Sequence, residues 1–196
     1  MFVNKSIDPG SIQIVNHSGT FQTLILNFMN EGRKYKPAIH NIYLLPMSYA
    51  EEIIPAEETT DLLERKIKGY SRMELLLLRD FNAWHSDWFG RAIQTEGLAL
   101  RIKELMNIYD FELILPLGTV TRPSDELINE GTTLDLIWGT KVTTEHVVEY
   151  DIRPQLQLSS DHIPVSTVLG YKASPSVTPE RWNFKAINTE GFLASL

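Results

Sequence analysis

Along most of this chain the hydrophobic positions alternate with polar ones or gather in short runs, and only two stretches carry helical spacing. Ser11 to Val15 and Thr20 to Phe28 read as strands, with His17-Ser18-Gly19 as the turn of a hairpin. Pro37 to Leu45 is a further strand closed by Pro46, and Glu74 to Leu78 is a buried one. Phe111 to Leu115, Thr132 to Ile137, His146 to Ile152 and Ile163 to Leu169 add four more. Glu57 to Lys68 is the first predicted helix, with acids early and bases late, the order that complements the helix dipole. Gln94 to Tyr109 is the second, and its Leu98, Ile102, Leu105, Met106 and Tyr109 fall on one face as core. Strands interleaved with two helices predict an α/β layered sandwich of sheets flanked by helices. After Gly170 the composition turns to Ser, Pro and Thr, so residues 1–170 are read as one domain and 171–196 as a linker and tail. Within that tail, Arg181 to Phe192 reads as a possible short helix.

Composition narrows the chemistry. With 196 residues and 43% apolar content the chain can bury a core. It has no Cys, which removes disulfides, thiolate zinc sites and cysteine nucleophiles together. No apolar run approaches the roughly 20 residues that span a bilayer, and the start carries no signal-peptide pattern. The expectation is a soluble intracellular protein, with no membrane partner. The net charge of −7 argues against nucleic-acid binding by bulk charge, although Arg33, Lys34 and Lys36 form a local basic cluster. A second cluster, Arg65, Lys66, Lys68 and Arg72, follows a run of acids; both are read as solvated charged segments.

Acids, amides and imidazoles gather at the ends of apolar runs, where a strand fixes the backbone and its end stays open to ligand. Asp80 and Asn82 follow Leu75 to Leu78, and their side chains point the same way if the strand continues through Phe81. The alternative is an Asx turn leading off the strand. Asp161-His162 precedes Ile163 to Leu169, pairing a carboxylate with an imidazole that can ligate, polarise or shuttle protons. Asp135 lies between two leucines of an apolar run; it either faces solvent or has a defined partner, and a histidine whose tautomer it fixes is a natural one. His17, His40 and His146 have no such company and are read as structural.

Asp80-Phe81-Asn82, Thr121-Arg122, Leu134-Asp135 and Ser160-Asp161-His162, in that order, resemble the endonuclease/exonuclease/phosphatase family. Within it the resemblance is to the endonuclease domain of non-LTR retrotransposons and to apurinic/apyrimidinic endonucleases. Asn41 to Pro46 resembles the family's strand with an active-site tyrosine, and the likeness runs from about Phe2 to Leu169. It implies a DNase I-like four-layer sandwich of two mostly antiparallel sheets and metal-dependent hydrolysis of DNA phosphodiesters, with Mg²⁺ or Mn²⁺ as cofactor. Carried over by position, Asp80 would activate water or serve the leaving group, and Asn82 would orient the phosphate. His162 would stabilise phosphoryl oxygens with Asp135 behind it, and Tyr43 would touch the scissile phosphate. Asp161 would contribute to the metal, and Thr121 and Arg122 to substrate binding. A larger polyprotein with reverse transcriptase is the implied context.

The chain also departs from the pattern. The family's early Asn and metal-binding Glu have no counterpart ahead of Tyr43, so the expectation is an N-terminally truncated domain, its C-terminal two-thirds, with one sheet incomplete. Arg79 stands where the family usually has Gly, and Trp84 where it often has His. An incomplete sheet exposes a strand edge and favours self-association. A catalytically inactive retroelement remnant is therefore the alternative function. A phosphomonoesterase of the same fold is a weaker one, because Thr133 to Leu136 replaces that branch's Trp-Cys-Asp-Arg-like motif.

Overall fold

The computed structural model describes residues 7–30, 32–44, 56–95, 97–124, 131–157 and 159–171. In chain order the strands are β1 (Ile12–Ser18), β2 (Phe21–Leu26), β3 (Phe28–Asn30), β4 (Arg33–Tyr35) and β5 (Ala38–Ile42), followed by helix α1 (Ala56–Gly69). Then come β6 (Leu75–Asp80), α2 (Ser86–Phe89), α3 (Gly97–Ile108), β7 (Phe111–Leu113), β8 (Asp135–Thr140), α4 (Lys141–Glu145), β9 (Val147–Ile152) and β10 (Val165–Leu169). Six strands form one sheet in the order β1-β2-β5-β6-β8-β7, while β9–β10 and β3–β4 form separate two-stranded sheets. Only the β5–β6 pair is parallel among the pairings described.

β6 explains its own sequence. Leu75 and Leu77 join the main core beneath the helices, with Leu63 and Ile67 of α1 and Ile102 and Met106 of α3. Leu76 faces the other way and builds a smaller core with Leu115 and Ile137, against which Leu78 and β10's Val165 and Leu169 pack. A strand buried on both faces reads as an unbroken apolar run, which is what Leu75 to Leu78 is. The layered α/β expectation holds: helices, the six-stranded sheet, then the β9–β10 sheet.

Several elements differ from the expectation. The long strand expected from Thr20 divides at Asn27, and the chain then forms the β3–β4 hairpin. β8 starts at Asp135 rather than Thr132; ahead of it Thr132 forms an isolated bridge with Arg122, and Leu134 gives its N–H to the Thr121 hydroxyl. α3 begins at Gly97, and β5 ends at Ile42, short of Leu45. The short helices α2 and α4 were not anticipated; α2 starts where the His85 imidazole accepts the Asp87 N–H at 3.0 Å. No helix among the described residues is long and apolar enough to cross a membrane. The segment from Arg181 to Phe192 lies outside the described residues.

His40 is structural, as expected, and it sets a pH limit on the fold. It is fully buried on β5, with Nδ1 2.8 Å from the Thr23 hydroxyl, which also lies 2.9 Å from His17 Nε2. Among the described residues His40 Nε2 has no hydrogen-bond partner. Burial, reinforced by the His17 and Lys66 charges, pushes its pKa down to about 4. The unfolded chain therefore takes up a proton near pH 6.5 that the folded chain refuses until about pH 4. Stability from this group is complete above pH 6.5 and is lost on acidification through that window, by about 3 kcal/mol in all. We expect the wild-type melting temperature to fall between pH 7 and pH 4.5 more steeply than that of His40→Gln; equal slopes would refute this.

Candidate active site

The register of β6 against β8 sets the site. Asp80, the last residue of β6, pairs with Asp135, the first of β8. Both side chains share the face of the sheet that carries Leu76, Leu78 and Ile137, the face turned toward β10. The turn before β10 brings His162 to the same place, its Nδ1 2.6 Å from Asp135 Oδ2 and its Nε2 4.0 Å from Asp80 Oδ2. That turn is held by two bonds: the His162 N–H donates to the Ser160 hydroxyl at 3.0 Å, and the Ile163 N–H to the Thr121 carbonyl at 2.7 Å. Asp135 thus has the histidine partner that its apolar surroundings demanded.

Asp80 and Asn82 meet by a different route from strand alternation. The strand stops at Asp80, and Asn82 has φ 43°, a left-handed conformation that Asn tolerates better than most residues. Its N–H donates to Asp80 Oδ1 at 2.9 Å, closing an Asx turn, and its side-chain amide donates to the Leu44 carbonyl at 2.8 Å. The turn and the site are the same structure. One carboxylate oxygen of Asp80 stabilises the bend, and the other faces His162. Burial raises the Asp80 pKa above the ordinary aspartate value; Asp135 adds to the rise, while the Asn82 N–H and His162 oppose it.

The remaining expected residues divide. Thr121 is fully buried, and its hydroxyl accepts the N–H groups of Leu134 and Asp135, each at 3.0 Å. It lies beneath Asp135 as a support, out of reach of a substrate. Asp161 lies two-fifths buried at the surface, with Oδ2 2.8 Å from Arg122 Nε, so it is joined to Arg122 and not to the Asp80–His162 pair. Tyr43 is partly buried just past β5, its N–H bonded to the Thr20 carbonyl at 2.8 Å. Sequence reasoning quoted Ser160 without a role, although its hydroxyl holds the histidine turn, and it missed the Leu44 carbonyl that anchors Asn82; a backbone acceptor leaves no trace in residue type. A cavity of about 590 Å³ between the two sheets borders this centre, lined by Asp135, Ser160 and His162 and by apolar side chains including Leu76 and Val165.

The donor set does not complete a site for the implied divalent cation. Among the described residues no group of three His, Asp or Glu side chains is placed to hold a metal ion. One oxygen of Asp161 is engaged by Arg122, one of Asp135 by His162 and one of Asp80 by the Asn82 N–H, so none of the three offers both oxygens to a cation. Mg²⁺ demands octahedral oxygen coordination, so the described residues do not by themselves fit a resident ion.

Fold and acid–histidine centre together define an α/β protein of the endonuclease/exonuclease/phosphatase class. The sequence model of the family described as endonuclease–reverse transcriptase matches residues 38–166. That is most of the chain, which belongs to this family. Among solved structures, the endonuclease domain of TRAS1, a telomere-specific non-LTR retrotransposon, is similar with a TM-score of 0.64 and 11% identity over 84% of this chain and 71% of that one. The catalytic domain of Xenopus laevis APE2 is similar with a TM-score of 0.61 and 16% identity, covering 78% of this chain and 55% of that one. The 3′ phosphatase NExo from Neisseria, solved with a product DNA hairpin, gives 0.57 and 12%, covering 83% and 71%. At these identities the likeness is one of fold. The chain spans about half the length of the APE2 domain it matches. No curated protein sequence matches.

Proposed function

We propose that this chain is an endonuclease-type phosphodiester hydrolase acting on DNA, derived from a retrotransposon and working beside a reverse transcriptase. The observation that carries the reading is the His162–Asp135 contact of 2.6 Å, with His162 Nε2 turned toward the buried carboxylate of Asp80. Asp135 accepts the Nδ1 proton and so fixes the imidazole, leaving Nε2 to face the substrate. In the proposed reaction, a water oxygen attacks phosphorus and its proton passes to Asp80, whose raised pKa makes it the stronger base. His162 Nε2–H donates a hydrogen bond to a phosphoryl oxygen as charge accumulates there; the bond to the leaving sugar oxygen breaks, and that oxygen takes a proton from solvent. Asn82 uses one amide N–H on Leu44 and has a second to offer the phosphate. Arg122, steadied by Asp161, contacts the DNA backbone, and Tyr43 the scissile phosphate. Mg²⁺ or Mn²⁺ would be held chiefly through the DNA phosphates and would supply charge neutralisation there. The assignment of Asp161 as a metal ligand is the part the Arg122 contact favours least.

A second reading, that the chain is a catalytically inactive retroelement remnant that binds DNA without cutting it, is favoured by the lack, among the described residues, of a group of three acidic or histidine side chains placed to hold a metal ion. Plasmid nicking decides between them, run with Mg²⁺, with EDTA, and beside His162→Ala and Asp161→Ala, on protein whose mass is measured by light scattering. The hydrolase reading expects chelator-sensitive nicking that is abolished in His162→Ala. It expects Asp161→Ala to change the rate only a few-fold, because exposed ion pairs contribute little. A folded protein that binds plasmid and never nicks it leaves the second reading standing. A monomeric mass removes self-association, which the half-open cavity between the sheets otherwise favours.

A further inference from the structure

The basic cluster at Arg33, Lys34 and Lys36 has no part in the centre described above, and the fold gives it a specific setting. β3 and β4 pair Phe28 with Tyr35, Met29 with Lys34 and Asn30 with Arg33. Phe28 and Tyr35 stack at 5.7 Å, and Tyr171 packs on both rings at 5.0 and 5.5 Å, with His146 4.4 Å from Tyr171. The Tyr171 hydroxyl in turn donates to the Glu74 carboxylate, which ties the ring cluster to the start of β6. The hairpin is therefore mounted firmly on the end of the molecule where β5 and β6 begin. Its outer side carries exposed Lys34, Lys36 and half-exposed Met29, and the exposed Arg33 guanidinium lies 5.5 Å from the centre of the Tyr35 ring. Arg72, also exposed, lies in the turn that enters β6 at the same end. Among the described residues none of these four bases is ion-paired with a carboxylate. In the sequence Glu31 is the one acid between Phe28 and Lys36.

Asp80 closes the opposite end of β6. Five strand steps separate it from Leu75, about 17 Å along the strand axis. A phosphate held by the hairpin is thus a different phosphate from the one at His162. In a chain of net charge −7, a polyanion meets repulsion over most of the surface, and a rigid, unneutralised basic hairpin is where it can stay. We propose that the β3–β4 hairpin is a second nucleic-acid contact, at the pole opposite the reactive centre, which holds a backbone segment by its charge while the chain's own chemistry proceeds elsewhere. The proposal rests on the nuclease reading only for the choice of nucleic acid as the polyanion.

The test is fluorescence anisotropy of a labelled DNA duplex, and of RNA of the same sequence, titrated with the full chain over a series of salt concentrations. Lys34→Glu/Lys36→Glu is compared with wild type, and folding of each is checked by circular dichroism. Both lysines are on the surface, so the double variant should fold. We expect it to bind at least tenfold more weakly than wild type, with the salt slope flattened by about two phosphate contacts. The probe that loses more affinity, DNA or RNA, is the one the hairpin holds. Wild-type affinity and slope in the double variant would overturn the inference, whatever the nicking assay gives. A wild-type chain that binds but never nicks would sink the hydrolase reading and leave this one intact.

Discussion

Replacing His162 with alanine is expected to lower DNA cleavage by about 10²- to 10⁴-fold, the range that one group positioned at the reacting phosphate supplies. The estimate follows from its placement. His162 is fixed at Nδ1 by Asp135, at its backbone N–H by Ser160, and through the next residue by the Thr121 carbonyl. A ring so constrained is already oriented before substrate arrives, so its loss removes transition-state stabilisation more than binding. The fall should therefore appear in kcat, with KM for plasmid changed much less. Asp135→Asn separates orientation from mere presence. An amide can accept the Nδ1 proton or offer one of its own, so a fraction of molecules will hold the wrong tautomer. Its rate should lie between those of wild type and His162→Ala. A wild-type rate in Asp135→Asn would show that the 2.6 Å contact has no bearing on the reaction.

How much of this was legible beforehand depends on the kind of information each element carries. Strands read well where burial alone set the pattern. The Leu75 to Leu78 run is apolar because both faces of β6 are covered, and no competing signal obscured it. The β3–β4 hairpin was hidden because Thr20 to Phe28 is uniformly strand-like and residue type does not mark the division at Asn27. β8 begins later than expected because Thr132 is bridged to Arg122 of another loop, a pairing that residue type does not show. The Asp135–His162 pairing was inferable, since a carboxylate among leucines needs a partner and a histidine beside a strand end can be one. Asp80 and Asn82 were found as a pair with two geometries open, and the Asx turn, with a left-handed Asn82, is the one that joins them, not the shared strand face. The assignment of Asp161 rested on family position, whereas its actual partner, Arg122, lies in another loop. Residue type and order reveal which groups the chain has gathered, and the side-chain-to-backbone bonds decide which of them meet.

Asp80→Asn is expected to make the protein more stable while removing most of its activity. In the fold, burial and the neighbouring Asp135 raise the Asp80 pKa above that of an unfolded aspartate. The folded chain therefore binds this proton more tightly than the unfolded chain does. At low pH both states are protonated and the group contributes no difference. As pH rises through the ordinary aspartate value toward the folded one, the unfolded state ionises first, and stability falls by the amount the raised pKa represents. Above that window the ionised carboxylate is a standing cost to the fold. Asparagine keeps the shape and still accepts the Asn82 N–H, but it has no charge to bury and none to repel Asp135. At pH 7 the variant should melt a few degrees higher than wild type, each kcal/mol being worth roughly 2–4 °C in a chain of this size. Near pH 3 the two melting temperatures should converge. Cleavage should drop by at least about 10²-fold, because no other described carboxylate oxygen faces His162 Nε2 to take the proton of the attacking water. A variant that melts below wild type at pH 7 would mean that the Asp80 charge is compensated in the folded protein and is not the strained base proposed. Gain of stability with retained cleavage would move the base elsewhere. Only the combination, tighter folding and lost chemistry from the same oxygen-to-nitrogen exchange, is what a carboxylate kept at a cost for its reactivity predicts.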